Sequence, residues 1–126
     1  MTIIIDTDVL IEISYKHSVK GNQIYQKIIT RREDIAITSI TLYETLYGLL
    51  KSEKPIQYLL SFPEYDFGKD DAKYAAKFEE ELEKKGKKIK RTDIMISSTA
   101  TTIGATLCTL DKDLKELEVF GLRLFI

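Results

Sequence analysis

A short apolar run at the start of the chain most constrains its fold. Residues Thr2–Ile5, with the sequence TIII, are rich in β-branched side chains, and the run stops abruptly at two carboxylates, Asp6 and Asp8. A short and continuous apolar run is typical of a strand that is covered on both faces. The stretch therefore predicts a buried strand and raises the question of why that strand ends on a pair of acids.

Strand and helix patterns alternate along the rest of the chain. Further strands are predicted at 35–38, shortly before Asp70, at 106–110 and at 122–125. Helices are predicted at 9–15, 19–32, from Ser39 or Thr41 to about residue 50, then at 55–60, 70–85, 93–104 and 111–117. Because parallel neighbours need crossover connections, which are normally helical, we expect an α/β fold with a mostly parallel, twisted central sheet of about four or five strands and helices on both faces.

Residue spacing assigns a buried side to three of the helices. The side chains that share one helical side are Ile24, Ile28 and Ile29 in one helix, and Ile40, Tyr43, Tyr47 and Leu50 in the next. In the helix at 93–104 they are the small residues Ser97, Ala100, Thr101 and Gly104, which allow a neighbour to approach closely. We therefore expect the last of these helices to be buried, and the two tyrosines to be packing residues.

Length and composition bound the remaining possibilities. A length of 126 residues suits one domain, which we expect over residues 1–126. The single cysteine, Cys108, excludes an intramolecular disulfide, and the first residues resemble neither a signal peptide nor a membrane span, so we expect a cytoplasmic protein with no membrane partner. The formal net charge of −1 gives no global attraction to nucleic acid, so any such binding must rest on local clusters of charge.

Acidic residues follow two of the predicted strands. Asp6 and Asp8 come after the first strand, and Asp111 and Asp113 come after the strand ATLCTL. In open α/β sheets, functional groups gather outside the carboxyl ends of the strands. The two acidic pairs are therefore predicted to share one edge of the sheet.

Two more acids stand early in helices that start from the same edge. Asp93 opens one helix, and Glu44 lies about one turn into another. At helical spacing the neighbours of Glu44 are Ile40 and Tyr47, and an unpaired carboxylate on the buried side of a helix is costly. A positive partner is expected, either a lysine or, for so many converging carboxylates, a divalent metal.

The residue types favour a hard cation. Mg²⁺ and Mn²⁺ prefer oxygen ligands, and carboxylates are what this edge offers. Zinc is disfavoured because the only histidine, His17, lies on a polar stretch far from these acids in sequence. One or two such ions would activate a water and stabilise charge on a phosphodiester, an arrangement that many nucleases use.

Four stretches together carry a family resemblance: IIIDTDVLIE, TSITLYETLYGL, RTDIMISSTA and LCTLDKDL. They resemble the four acidic motifs of the PIN-domain ribonucleases, in particular the small VapC-type toxins, in order and in approximate spacing. The resemblance implies that Asp6, Glu44, Asp93 and Asp111 are the catalytic, metal-binding acids, with Asp113 as a supporting acid, and it leaves the division of labour between Asp111 and Asp113 open. It also implies that the hydroxyls of Thr7 and Thr109 orient carboxylates.

What this resemblance implies is an Mg²⁺- or Mn²⁺-dependent endoribonuclease that acts as a toxin, with a metal-activated water attacking phosphorus. It further implies a VapB-type antitoxin that blocks the acidic groove, and a homodimer. The partner surfaces are expected at residues 24–29 and 43–50 and in the stretch IQYLL.

Simpler explanations compete for several of these residues. Asp8 equally well caps a helix, and Asp93 suits a helix start for electrostatic reasons alone. The basic stretch KKGKKIKR, at 84–91, is either a solvated helix end or a clamp for the RNA backbone, in which Lys90 and Arg91 are the preferred contacts.

Three other functions stay open from the sequence. A housekeeping PIN nuclease that processes ribosomal or transfer RNA would have the same acids, and a PIN fold kept only for binding is a further possibility. A receiver-like signalling module would need a phosphoacceptor aspartate at the end of a central strand. Here the second strand leads into Ser39, and the nearest acid is Glu44 inside the following helix.

Overall fold

The computed structural model describes residues 1–125 and contains one five-stranded sheet whose strands are all parallel. The strands are β1 (Thr2–Ile5), β2 (Asp34–Thr38), β3 (Glu64–Tyr65), β4 (Thr106–Cys108) and β5 (Arg123–Leu124). The predicted α/β class is confirmed, and so is each predicted strand, although the last two are shorter than expected.

The order of the strands is β3-β2-β1-β4-β5. The chain moves outward from β1 to β3 and then returns to the other side of β1. Ile4 of β1 therefore lies opposite Ala36 of β2 on one side and Leu107 of β4 on the other. The order therefore reverses between β1 and β4, and such a switch point opens a crevice at the carboxyl ends of the strands. In a receiver-like domain, with order 2-1-3-4-5, β3 would lie beside β1, so this alternative is wrong.

Helices connect the strands as predicted. They are α1 (Thr7–Ile11), continued by a π-helical turn (Glu12–Lys16), then α2 (Val19–Arg31), α3 (Ser39–Lys51), α4 (Gln57–Leu60), α5 (Lys69–Lys84), α6 (Arg91–Thr102) and a 3₁₀ helix (Lys112–Phe120). The predicted caps differ in detail, because Thr38 caps α3 through its hydroxyl and Asp70 lies inside the first turn of α5, which begins after Gly68. No helix within residues 1–125 is long and apolar enough to span a membrane.

Alternate side chains of β1 enter two separate cores. Ile4 packs in a cluster with Phe78, Leu107 and residues of α6 and the 3₁₀ helix, whereas Ile3 and Ile5 pack on the other face with residues of α1, α2, α3 and α4. All three isoleucines are almost completely buried. Helices therefore cover both faces of the sheet, and this explains why β1 is apolar throughout.

Two of the predicted buried sides are partly wrong. On α3, Tyr43, Tyr47 and Leu50 are exposed, and the buried positions are Thr41, Thr45 and Leu49. On α2, Ile28 is buried as expected but Ile29 is exposed. Both helices carry more than one apolar stripe, and spacing alone does not say which stripe the sheet covers.

The helix with small residues is buried, as predicted. Ser97 and Ala100 of α6 are fully buried, and residues 96–100 have almost no exposed surface. The small side chains let α5 and the sheet pack closely on this helix. Its first turn, which carries Asp93, is thereby held at the edge of the sheet.

Candidate active site

A cleft of about 390 Å³ lies at the carboxyl ends of the strands, beside the switch point between β1 and β4. It is lined by Asp6, Thr7, Asp8, Ile11, Glu44, Lys90, Asp93 and Asp111. The four acids predicted to act together, which come from four distant stretches of the chain, thus line one cavity.

Asp6 is the most deeply buried of these acids, with 3% of its surface exposed. Its backbone N–H still pairs with Cys108 at 2.9 Å, so the side chain is fixed by the end of the sheet itself. Oδ1 accepts the N–H of Thr7 at 2.8 Å, and Oδ2 accepts the hydroxyl of Thr109 at 2.7 Å. Burial, together with the nearby Asp8 carboxylate, nevertheless raises the pKa of Asp6 to about 7.

Glu44 meets both a hydroxyl and a cation. The Thr7 hydroxyl donates to Glu44 Oε1 at 2.8 Å and lies 3.0 Å from the hydroxyl of Thr41. Lys90 Nζ lies 3.5 Å from Glu44 Oε2, which supplies the positive partner that the helical position of Glu44 requires. The sequence did not predict Thr41 as a residue of the site. Its position three residues before Glu44, on the same side of the helix, was the feature that could have indicated it.

Asp93 lies in the first turn of α6 and faces several other acids. Partial burial raises the pKa of Asp93 to about 6, and the Asp111 and Glu44 carboxylates add to this shift. Lys90 acts in the opposite direction. The Asp111, Glu44 and Asp8 carboxylates all raise the pKa of Asp93, which a position chosen only for the helix dipole would not explain. Its metal-binding role stays a prediction.

Asp111 and Asp113 occupy different surroundings. Asp111 lines the cleft, its N–H donates to the Thr109 hydroxyl at 3.1 Å, and its Oδ1 accepts the N–H of Asp113 at 3.0 Å. Asp113 is exposed and does not line the cleft. The geometry thus favours Asp111 as the acid of the fourth motif.

Asp8 lines the cleft, but its oxygens are engaged by the backbone. Oδ1 accepts the N–H of Val9 at 2.6 Å, and Oδ2 accepts the N–H of Leu110 at 3.3 Å. Burial is the main cause that raises the pKa of Asp8. The N-cap of α1 is Asp6, so the alternative in which Asp8 caps this helix is wrong. Asp8 lies in the first turn, links the start of α1 to the segment after β4, and adds negative charge to the cleft.

The two basic residues predicted to contact RNA have different partners. Lys90 lies at the cleft beside Glu44, whereas Arg91 forms a bidentate ion pair with Glu79, with N···O distances of 3.1 and 2.6 Å. Arg91 therefore points away from the acids of the cleft. The role of both residues in RNA binding stays a prediction.

The donor set fits a hard divalent cation. Within residues 1–125, no three Asp, Glu, His or Cys side chains are already drawn together closely enough to hold a metal as they stand. The cleft nevertheless offers carboxylate oxygens on four separate segments, and burial with mutual repulsion raises the pKa of both Asp6 and Asp93. A cation with oxygen ligands would relieve that repulsion, whereas the cleft lining contains no sulfur or imidazole ligand for a softer metal.

Comparison with known proteins identifies the family and agrees with this fold. The family model described as PIN domain matches residues 3–119. The chain is 32% identical over 118 residues to Ribonuclease VapC2 of Rickettsia felis, with 86% of each sequence covered.

Solved structures give the same result. VapBC2 from Rickettsia felis, bound to a DNA fragment from their promoter, matches with a TM-score of 0.79 and 29% identity, covering 99% of this chain and 98% of that one. DNA-bound VapBC from Salmonella typhimurium matches with a TM-score of 0.73 and 25% identity, covering 99% and 97%. The resemblance inferred from the four acidic stretches is confirmed.

Proposed function

The chain belongs to the PIN domain family, and on that basis we propose that it is a divalent-metal-dependent endoribonuclease that acts as the toxin of a VapBC-type pair. The observation that carries the proposal is the meeting of Asp6, Glu44, Asp93 and Asp111 in one cleft. Four acids brought together from four segments are costly for the fold unless they serve a cation. The similarity to a named ribonuclease supports RNA as the substrate.

Each side chain has a distinct task in this proposal. Asp6, Glu44, Asp93 and Asp111 would hold Mg²⁺ or Mn²⁺, and Thr109 and Thr7 would keep Asp6 and Glu44 in place through the hydrogen bonds described above. Asp113, exposed beside Asp111, would act at most as a supporting acid. The cation, when bound, would lower the pKa of a water and neutralise negative charge on the phosphodiester.

Hydrolysis needs no nucleophile from the protein. Water adds to phosphorus, the bond from phosphorus to the leaving oxygen breaks, and that oxygen takes up a proton. Among the side chains that line the cleft there is no cysteine or histidine, and the buried Cys108 has a pKa raised to about 12 by desolvation. The thiol is therefore protonated at neutral pH and takes no part.

The direct test is cleavage of a labelled mixture of cellular RNAs. Purified protein is assayed with Mg²⁺, with chelator, and as the Asp93→Asn variant prepared identically to expose any contaminating nuclease. We expect cutting only by the wild type with metal, and the fragment ends then identify the target. Equal cutting by the variant, or no cutting across varied RNAs, would overturn the proposal in favour of a PIN fold kept for binding.

Toxin and housekeeping functions differ in cells. Expression of the chain alone in the cytoplasm is expected to arrest cell growth. Co-expression of a VapB-type antitoxin is expected to reverse the arrest. The similarity to VapBC complexes supports such a partner. Growth that continues despite nuclease activity would favour the processing of ribosomal or transfer RNA instead.

An exposed apolar surface supports the proposed protein partners. Tyr43, Tyr47 and Leu50 of α3 are each about 60–70% exposed, and Tyr58 and Leu60 of α4 are each 54% exposed. Large apolar side chains grouped on one part of a surface mark an interaction site. We expect a homodimer in sedimentation experiments, and replacement of Tyr47 by glutamate to weaken assembly of the dimer or of the antitoxin complex.

A further inference from the structure

A second cavity adjoins the acidic cleft and shares Asp111 with it. The cavity has a volume of about 200 Å³ and lies between α2, the end of β4 and the 3₁₀ helix. Its lining includes Ile24, Leu110, Leu124 and Phe125, together with three exposed lysines, Lys27, Lys112 and Lys115. We call it the basic pocket.

The chemistry of the basic pocket is the opposite of that of the cleft. Its uncharged walls are apolar except for Thr109, and its charged groups, apart from Asp111, are lysines. Pockets for drug-sized ligands measure roughly 300–1,000 Å³, so a cavity of about 200 Å³ suits a group of the size of one base. A flat apolar ring with a neighbouring anion is the ligand that such walls and charges fit.

The lysines of the basic pocket also differ from those of the basic stretch at 84–91. In that stretch the ion pairs are Lys84 with Glu80 and Glu81, Lys85 and Lys87 with Glu116, Lys90 with Glu44, and Arg91 with Glu79. Within residues 1–125, Lys27, Lys112 and Lys115 form no ion pair. Lys88 of the basic stretch forms no ion pair in these residues either, but it lines neither the cleft nor the basic pocket. The basic pocket therefore places three unpaired lysines in the cavity that adjoins the cleft.

We propose that the basic pocket binds a nucleotide of single-stranded RNA next to the scissile phosphodiester, with the base against the apolar walls and phosphates on the three lysines. The proposal rests on the endoribonuclease function proposed above. An acidic cleft repels the RNA backbone, so neighbouring phosphates need cations close by, and Lys27, Lys112 and Lys115 stand immediately beyond Asp111.

Single strands fit this site better than duplexes. A base can enter a pocket only when it is unstacked and unpaired, which is how most sequence-specific recognition of RNA works. We therefore expect the enzyme to prefer unpaired regions of RNA. The walls of the basic pocket would then help to determine which base is accepted next to the cleaved bond.

The test compares two triple variants that remove the same charge. Lys27, Lys112 and Lys115 are replaced by alanine in the test variant, and Lys84, Lys85 and Lys87 in the control. Binding of a fluorescent single-stranded RNA of random sequence is measured in chelator over a range of KCl concentrations. We expect at least about tenfold weaker binding for the test variant, and a salt slope reduced by up to about 2, because each phosphate contact on a single strand contributes about 0.7.

Each other result of this comparison would overturn the proposal. Equal weakening by both variants would mean that only net charge matters, and unchanged binding by the test variant would mean that RNA does not use the pocket. Loss of antitoxin binding with unchanged RNA binding would assign the pocket to the protein partner.

Cleavage by the wild type with Mg²⁺ is measured in parallel. If the wild type cuts RNA and the test variant binds RNA as the wild type does, the pocket assignment alone is wrong. If the wild type neither binds nor cuts, both proposals fail.

NMR tests separately whether the base of a bound nucleotide lies in the basic pocket. Titration with 5′-nucleoside monophosphates is expected to shift the amide signals of Leu110, Lys112 and Phe125, with inorganic phosphate giving smaller shifts at Lys112 alone. Equal shifts from inorganic phosphate would show that the pocket recognises charge and not a base.

Discussion

Asp6 and Asp71 are buried almost equally and accept hydrogen bonds from the same kinds of donor, a threonine hydroxyl and a backbone N–H. They lie in two regions that we expect to differ in function, the cleft and the start of α5. Asp6 in the cleft is 3% exposed, and Asp71 in α5 is 5% exposed. Asp6 accepts the Thr109 hydroxyl at 2.7 Å and a backbone N–H, while Asp71 accepts the Thr99 hydroxyl at 2.8 Å and a backbone N–H. Burial and hydrogen bonding alone therefore do not distinguish them.

The charges around the two residues differ. Asp71 lies in the first turn of the 16-residue α5, where the helix dipole favours a carboxylate, and it closes the capping box with Gly68. Asp6 faces the carboxylates of Asp8 and Asp93, which help burial to raise its pKa to about 7. Asp6 also lies at a helix start, as the N-cap of α1, so what distinguishes it from Asp71 is the group of neighbouring carboxylates.

The largest expected difference is in activity. Asp6→Asn should lower the rate of RNA cleavage with Mg²⁺ by at least about 100-fold, because it removes a ligand charge, whereas Asp71→Asn should leave the rate within about threefold. The measurement is initial cleavage rate at a temperature where circular dichroism shows both variants folded. A folded Asp71→Asn variant with the same loss as Asp6→Asn would remove the distinction between the two regions.

The two threonines provide the next comparison. Thr109→Val deletes the hydroxyl that holds Asp6 Oδ2, so we expect the Mg²⁺ concentration for half-maximal cleavage to rise about 10- to 100-fold. Thr99→Val deletes the equivalent bond to Asp71, and we expect a loss of about 1 kcal/mol in unfolding free energy with no change in the Mg²⁺ requirement. The same Mg²⁺ dependence in both variants would contradict this division.

The end of β1 was predictable from sequence, and so was the meeting of the four acids in one cleft. The run of β-branched residues in β1 ends at Asp6 because the strand is covered on both faces and opens only at the switch point, and the alternation of elements places the other acids at the same edge. These features depend on local pattern and on general rules for parallel sheets, which is why they can be read from one chain.

What could not be predicted depends on which partner a side chain finds. Tyr43 and Tyr47 share an apolar stripe of α3, but the sheet covers the stripe of Thr41 and Thr45, whose small side chains bring a hydroxyl to within 3.0 Å of Thr7. Arg91 follows Lys90 directly, yet it pairs with Glu79 on α5. Such long-range pairings are set by the packing of the helices, which spacing in one sequence does not specify.

Replacing Asp71 should lower the free energy of unfolding more than replacing its neighbour Asp70. Asp71→Ala removes the acceptor of the Gly68 N–H and the nearer acceptor of the Thr99 hydroxyl, which keeps only Met95 O at 3.4 Å, so urea denaturation should show a loss of about 1–3 kcal/mol. Asp70→Ala is the matched control, since Asp70 is exposed in the same turn and should cost a few tenths of a kcal/mol through the helix dipole. Equal losses would mean that the charge at the helix start matters and that the buried hydrogen bonds do not.

The smallest expected effect is a pH dependence of stability that comes from Asp6 and Asp93 in the cleft. The pKa of Asp6 is raised from 3.8 to about 7 and that of Asp93 to about 6, so between about pH 4 and pH 7 the folded protein in chelator holds protons that the unfolded chain has released. Raising the pH through this range therefore favours unfolding. Asp6→Asn, which mimics the protonated acid, should flatten this slope and raise Tm in chelator at pH 8 by several degrees, equivalent to about 1 kcal/mol.

Added Mg²⁺ should abolish the advantage of Asp6→Asn, since a cation in the cleft would replace the missing proton only in the wild type. If Asp6→Asn instead lowered Tm in chelator at pH 8, the negative charge of Asp6 would be stabilising without metal. The cleft would then resemble the start of α5, and the contrast between the two regions would be wrong.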